Sequence, residues 1–303
     1  MSDWPPALDK LRHTVGLWTM TLDGQSPSRA AEIAGDVEAM GYSALWFAEA
    51  YGREAFTNAG LLLANTSTLV LATGIANIWA RDAVASANAA RTLSAAYNNR
   101  FVLGLGVSHE PLVKGMRGHN YQTPYAAMTE YLDAMDRSRM LAEEGSIRYA
   151  RVIAALGPKM LELAATSADG AHPYLVTPEH TALARSYLRD KFLGVEQAVV
   201  LGQDREEFLR RAHEHLEFYT GLPNYRNNWR RLGFSDDDMV RGGSERLCDA
   251  IVAHGDEDAI LAKVREHVEA GADHVCLQVL GADFGEVPLT EWRRLAPVVS
   301  PLQ

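Results

Sequence analysis

The chain has only two cysteines, Cys248 and Cys276, in 303 residues. Two thiols make neither a disulfide scaffold nor a thiolate metal site. Lysine is scarce too: Lys10, Lys114, Lys159, Lys191 and Lys263 are all there are. Basic residues number 29 against 39 acidic ones, a formal charge of −10. That balance lacks the positive field that general binding to nucleic acid or to an anionic membrane requires. No apolar run approaches the roughly 20 residues needed to cross a bilayer. The opening MSDWPPALDKLRHTVGLW has no basic start followed by an apolar stretch, so no secretory signal is read and a cytoplasmic location is expected. Internal repeats, low-complexity tracts and long linkers are also missing.

What is present is 47% hydrophobic and 22% charged, the composition of a globular domain. Short strand-type runs alternate with longer helix-type runs. The strand candidates are Thr14–Thr19, Ser43–Ala48, Leu69–Ala76, Phe101–Gly106, Arg151–Leu156, Ala171–Val176, Leu193–Leu201 and His274–Leu280. Pro173 weakens the sixth of these, because proline donates no ladder hydrogen bond. Helical patterns follow Pro27, Glu54, Asp82, Pro124, Lys159, Pro178, Arg205 and Asp258, with a last one around Thr290–Leu295. Eight strands, each followed by a helix, predict a (β/α)8 barrel as one domain, 1–303. The irregular stretch 221–254, with a helix through Leu247 and Ile251, reads as an insertion before the last βα unit, either a lid or pocket wall or a packing surface. A doubly wound open sheet is the alternative. The first βα turn, TMTLDGQSPS, holds one glycine and not the fingerprint such a sheet usually carries.

In a barrel of this kind the working face lies at the C-terminal ends of the strands. A metal hydrolase would need ligands there, yet the first strand ends in LWTMT. The only HxH, His213-Glu214-His215, falls in a helical segment, where residues two apart point away from each other. No metal is expected. Schiff-base chemistry would need a lysine in the mouth, and Lys159, in the first turn of a helix, is the only one near a strand end.

Leu156-Gly157-Pro158-Lys159 fits an anion site, with a close-approach glycine, proline at the first helical position and a nearby cation; it also fits a plain tight turn. Gly74-Ile75 interrupts a buried strand where it reaches the mouth, as a bulge or a close backbone approach would. The fourth strand ends in Ser108-His109, and a histidine there is either a proton carrier or a hydrogen-bonded structural residue.

Together, ALWFAE (44–49), LVLATGIA (69–76), RFVLGLGVSH (100–109), AALGPKMLELAATSADG (154–170), YLVTPEH (174–180) and AGADHV (270–275) resemble the luciferase-like monooxygenase superfamily. The resemblance is strongest to its branch that uses the deazaflavin coenzyme F420, and it runs in order over nearly the whole chain. It implies an oxidoreductase that moves a hydride between the deazaflavin and a small organic substrate, with His109 as the catalytic candidate. It also implies a non-proline cis peptide at Gly74-Ile75 behind the ring and cofactor contacts from Glu49, Asn77 and Ser108. A phosphate or acidic-tail loop would come from Leu156, Gly157 and Pro158, with Lys159. Trp18, Tyr51, Arg53 and Tyr225 are expected on the substrate side, and a homodimer is expected. Relatives often carry a histidine after the acidic residue of the second strand, whereas here Glu49 is followed by Ala50. An FMN-dependent monooxygenase of the same barrel is the nearest alternative, and the missing histidine also leaves open a deazaflavin-binding barrel without catalysis.

Overall fold

The computed structural model describes residues 4–283 and 285–299. Strands β1 (Thr14–Thr19), β2 (Ala44–Phe47) and β3 (Val70–Thr73) run parallel, and a two-residue β4 (Ala76–Asn77) resumes the third. They are followed by β5 (Phe101–Gly106), β6 (Ala150–Ile153), β7 (Gly170–Ala171) and β8 (Phe192–Leu201). A short β9 (Val252–Gly255) and then β10 (His274–Val279) complete the set. β10 pairs with β8 on one side and with β1 on the other, which closes a (β/α)8 barrel. β9 stands outside the ring, paired to the C-terminal half of the long β8.

The connections are helical: α1 (Pro6–Asp9) precedes the barrel, then come α2 (Pro27–Ala39), α3 (Ala55–Leu63), α4 (Ala83–Ala96), α5 (Pro124–Arg137), α6 (Pro158–Ser167) and α7 (Pro178–Leu188). After β8 follow α8 (Arg205–Leu216), α9 (Pro223–Arg231), α10 (Glu245–Ile251), α11 (Glu257–Glu269) and α12 (Leu289–Val299). Helix starts are set locally. Ser26, Glu54, Asp82, Asp204, Ser244 and Asp256 each accept a backbone N–H from the first turn of the helix they cap.

The strands bury both faces. One face packs under the helices, and the other fills the lumen with Trp18, Trp46, Ala72, Val102, Val152, Phe192 and Cys276. Leu8 and Leu11 belong to that inner cluster, so the segment around α1 stoppers the bottom of the barrel. At the bottom of the lumen Trp46 donates to His274 Nε2 at 3.1 Å, and His274 Nδ1 lies 2.9 Å from Thr14 Oγ1. With the bottom closed and the centre packed, open space remains at the C-terminal mouth.

Several expected boundaries are corrected. The sixth strand is Gly170–Ala171 alone. Beyond it Pro173 offers only a carbonyl, which accepts from Glu196 N at 3.1 Å, and Leu175 turns to φ 54° with its N–H bonded to the Glu196 side chain. The helix that follows Pro124 stops at Arg137, where Ser138 turns extended and its hydroxyl donates to Met135 O at 2.6 Å. The stretch 221–254 contains, besides the expected helix α10, the further helix α9 and most of β9, so it is more regular than expected.

Candidate active site

The mouth is shaped first by an interruption of the third strand. Thr73 turns its hydroxyl into the ladder, donating to Gly104 O at 2.7 Å and accepting from Gly104 N at 2.8 Å. Pairing with β5 resumes at Ala76 and Asn77 one residue out of step, which defines a bulge. Within it the Gly74–Ile75 peptide is cis. A side chain at Gly74 has nowhere to go: its Cβ would lie 2.3 Å from Trp18 Nε1 and 3.0 Å from His172 Nε2. The bulge is held from behind by Glu49, which accepts from Asn77 N at 2.8 Å and Ala55 N at 3.2 Å and pairs with Arg81.

Beside this backbone wall opens a cavity of about 700 Å³, lined by residues from most of the strand ends. Trp18 and Tyr174 meet ring to ring at 5.0 Å, and His172 stacks on Trp46 at 4.3 Å. His172 Nδ1 faces Gly194 O at 2.9 Å, so that nitrogen carries the proton and Nε2 keeps its lone pair; burial pushes the pKa down to about 4. Tyr219 donates to Tyr174 Oη at 3.2 Å, and Tyr174 donates to Gln278 Oε1 at 2.7 Å. His109 lies between Phe218 and Tyr225, with ring centroids 5.9 and 5.8 Å away, and burial lowers its pKa to about 4. It is therefore a neutral imidazole at pH 7, able to take a proton and not stocked with one.

The insertion supplies one wall. Trp229 of α9 is fully buried and donates to Leu175 O at 3.2 Å, which pins the helix over the end of β7. That seats Tyr225 on the cavity and brings Arg231 against the start of α6. A Cβ at Gly157 would lie 3.3 Å from Arg231 Nη2, and Asn228 Oδ1 accepts from the same nitrogen at 3.3 Å. Arg231 has no carboxylate partner among the described residues, and no side chain caps α6. An uncapped helix start, a glycine and an unpaired guanidinium at one end of a cavity suit a phosphate or carboxylate.

Of the residues singled out from sequence, Trp18, Glu49, Tyr51, Gly74, Ile75, Ser108, His109, Leu156, Gly157 and Tyr225 all line this one cavity. Ser108 takes φ 56° and its carbonyl accepts from Tyr121 Oη at 3.2 Å. Four fall elsewhere. Asn77 is buried with its side-chain oxygen on Trp79 N, and Pro158 and the exposed Lys159 lie off the lining. Arg53 braces the loop after β1 by donating to Leu22 O at 2.8 Å and to Gln25 O. Glu49 lines the cavity, but both its oxygens are engaged by the protein. Arg231 was missed; the available signal was Pro223 opening a helix with Leu222, Tyr225 and Trp229 at helical spacing. Among the described residues no group of three or more His, Cys, Asp or Glu is placed to hold a metal, and no helix is long and apolar enough to cross a membrane.

The closed parallel barrel, the cavity at its mouth, the cis peptide in the third strand and the unpaired Arg231 at one end of that cavity together define the class of barrel and the candidate site. Residues 13–274 match the family model of the luciferase-like monooxygenases, and the chain belongs to that family. It is 28% identical to a Mycobacterium tuberculosis protein named "Putative coenzyme F420-dependent oxidoreductase", over 86% of this chain and 89% of that one. Among solved structures, an F420-dependent secondary alcohol dehydrogenase in complex with an F420-acetone adduct superposes with a TM-score of 0.72 at 14% identity, covering 95% of this chain and 98% of the other. The oxygenating constituent of 3,6-diketocamphane monooxygenase from Pseudomonas putida, in complex with FMN, gives 0.69 at 14% identity over 95% and 98%. At such identities the structural likeness concerns the fold.

Proposed function

We propose that this protein is a coenzyme F420-dependent oxidoreductase acting on a small organic molecule. The observation that carries the reading is the pairing of a backbone wall at Gly74-Ile75 with the unpaired Arg231 beside Gly157, both on one cavity. The sequence similarity to a protein named for F420 supports the choice of coenzyme. The residues fit such a group: glycine at position 74 keeps the wall flat, and the anionic arm has a guanidinium and a free helix start to meet. When bound, the deazaflavin supplies or takes up a hydride at a ring carbon. The chain's own work is to hold the arm at Arg231 and Gly157, to line the ring's space with Trp18, Tyr174 and Ile75, and to keep water out with Phe218, Tyr219 and Tyr225 of the insertion side. Neutral His109 stands where a proton released from a bound substrate can be taken.

Titration with F420 and, separately, FMN tests the reading. F420 is expected to bind, with FMN weaker, and Arg231→Gln is expected to weaken F420 binding about ten- to a hundredfold, the range of a charge-assisted pair. Lys159→Gln is expected to leave it unchanged. Selective FMN binding would instead favour a flavin monooxygenase. Tight F420 binding without turnover on any carbonyl, alcohol or enone panel would favour a carrier.

A further inference from the structure

Tyr225 is a group to which the proposed cofactor contacts assign no hydrogen bond. Its side chain is 6% exposed and lines the cavity, yet its hydroxyl has no hydrogen-bond partner among the described residues. Burial raises its pKa well above 10, so the hydroxyl keeps its proton. The neighbouring tyrosines differ in this respect, since Tyr219 donates to Tyr174 and Tyr174 to Gln278. The Tyr225 ring is buried while its hydroxyl opens on the cavity, free to donate to whatever occupies that space.

The surroundings of Tyr225 are apolar or neutral. Tyr219, Tyr174 and His109 lie with ring centroids 5.0, 6.4 and 5.8 Å away, and Trp229 backs it at 5.8 Å. His109 and His215 are held neutral by burial, each lowered to about 4. Glu196, buried behind these tyrosines, is pushed up to about 8 and holds its proton at neutral pH. Arg211 is engaged by Glu207, and the carboxylates of Glu214, Asp283 and Glu286 are exposed at the rim. Arg231 on the same cavity is assigned to the cofactor's arm, and none of the other groups offers a counter-ion to a charged substrate group.

We infer that Tyr225 Oη is a substrate-binding hydroxyl, donated from the insertion to the oxygen of a neutral carbonyl compound with a ring-shaped, apolar body. The inference rests on the proposed function in assigning this part of the cavity to the substrate. The same hydroxyl can accept from the corresponding alcohol, so both members of a carbonyl–alcohol pair fit it. The aromatic walls take the apolar body by offset and edge contacts.

The test is a binding comparison of two probes, acetophenone and ethylbenzene, measured by ligand-observed NMR on wild type and Tyr225→Phe. Wild type is expected to prefer acetophenone over ethylbenzene by about five- to tenfold, the worth of one hydrogen bond. Tyr225→Phe is expected to abolish the preference while leaving ethylbenzene affinity and melting temperature unchanged. A preference that survives in Tyr225→Phe, or the absence of any preference or ketone binding in wild type, would overturn the inference. F420 titration of the same two proteins separates the claims. F420 affinity unchanged in the variant is expected. Failure of wild type to bind F420 would sink the cofactor reading, while the role of the Tyr225 hydroxyl would still stand or fall on the two probes.

Discussion

A missing side chain at position 74 decides whether there is a cavity wall at all. Gly74→Ala would drive a methyl into the Trp18 indole, 2.3 Å from Nε1, with His172 behind it. Overpacking of this kind costs about 1–3 kcal/mol, and the displaced Trp18 would narrow the site. A lower melting temperature together with lost cofactor binding is expected, and a variant that binds as well as wild type would contradict the role given to Gly74. At this scale the sequence was partly legible. A glycine pair ending a buried run, and a histidine ending the next strand, marked Gly74 and His109 because strand ends in a barrel point at the mouth. The helix that carries Arg231 had a local signal at Pro223, but the approach of Arg231 to Gly157 was illegible, because no local pattern encodes a contact between residues so far apart. Lys159 drew attention by adjacency in sequence, but its place in the first turn of α6 carries it off the cavity.

Among the elements, the insertion and the clamp behind the bulge carry the site. Trp229 fastens α9 to the end of β7, so Trp229→Ala removes a fully buried aromatic and is expected to cost about 3–5 kcal/mol. Because α9 also carries Tyr225 and Arg231, cofactor binding should fall with it; chemical denaturation and an F420 titration on one preparation would show both losses or refute the coupling. Glu49 joins the end of β2, the start of α3, the restarted strand and Arg81. Glu49→Ala leaves Arg81 with the half-exposed Glu54 alone and is expected to destabilise by about 3 kcal/mol, the range for breaking a buried pair. Strand positions were legible because parallel strands buried on both faces read as apolar runs. The short β7 was not, since Pro173 and the Glu196 side chain end its pairing through groups far apart in sequence. The length and caps of α9 were hidden by its many polar residues, only one face of which is buried.

Over the whole molecule, burial of ionisable groups sets how stability responds to pH. His109, His172 and His215 are lowered to about 4, and His267 and His274 to about 3. Between those values and the unfolded value of 6.5 the unfolded chain binds more protons, so stability falls as pH drops through that window. Glu196 acts oppositely: raised from 4.5 to about 8, it holds a proton in the folded state that the unfolded chain has lost, so stability declines as pH rises between those values. Melting temperature is therefore expected to rise up to about pH 6.5 and ease downward toward pH 8, and Glu196→Gln should flatten the upper limb. A melting temperature constant between about pH 4.5 and 6.5 would contradict the burial assigned to the histidines. The barrel as a whole was the most legible feature, because eight repeats of one strand–helix period leave few other ways to bury so many apolar runs.

The most direct test is a crystal structure of the protein with F420 bound. The account predicts the tricyclic ring lying against the Gly74–Ile75 peptide, the arm's phosphate between Arg231 and the start of α6, and the Tyr225 hydroxyl facing the space left beside the ring. A ring bound outside the mouth, or an arm leading away from Arg231, would contradict it.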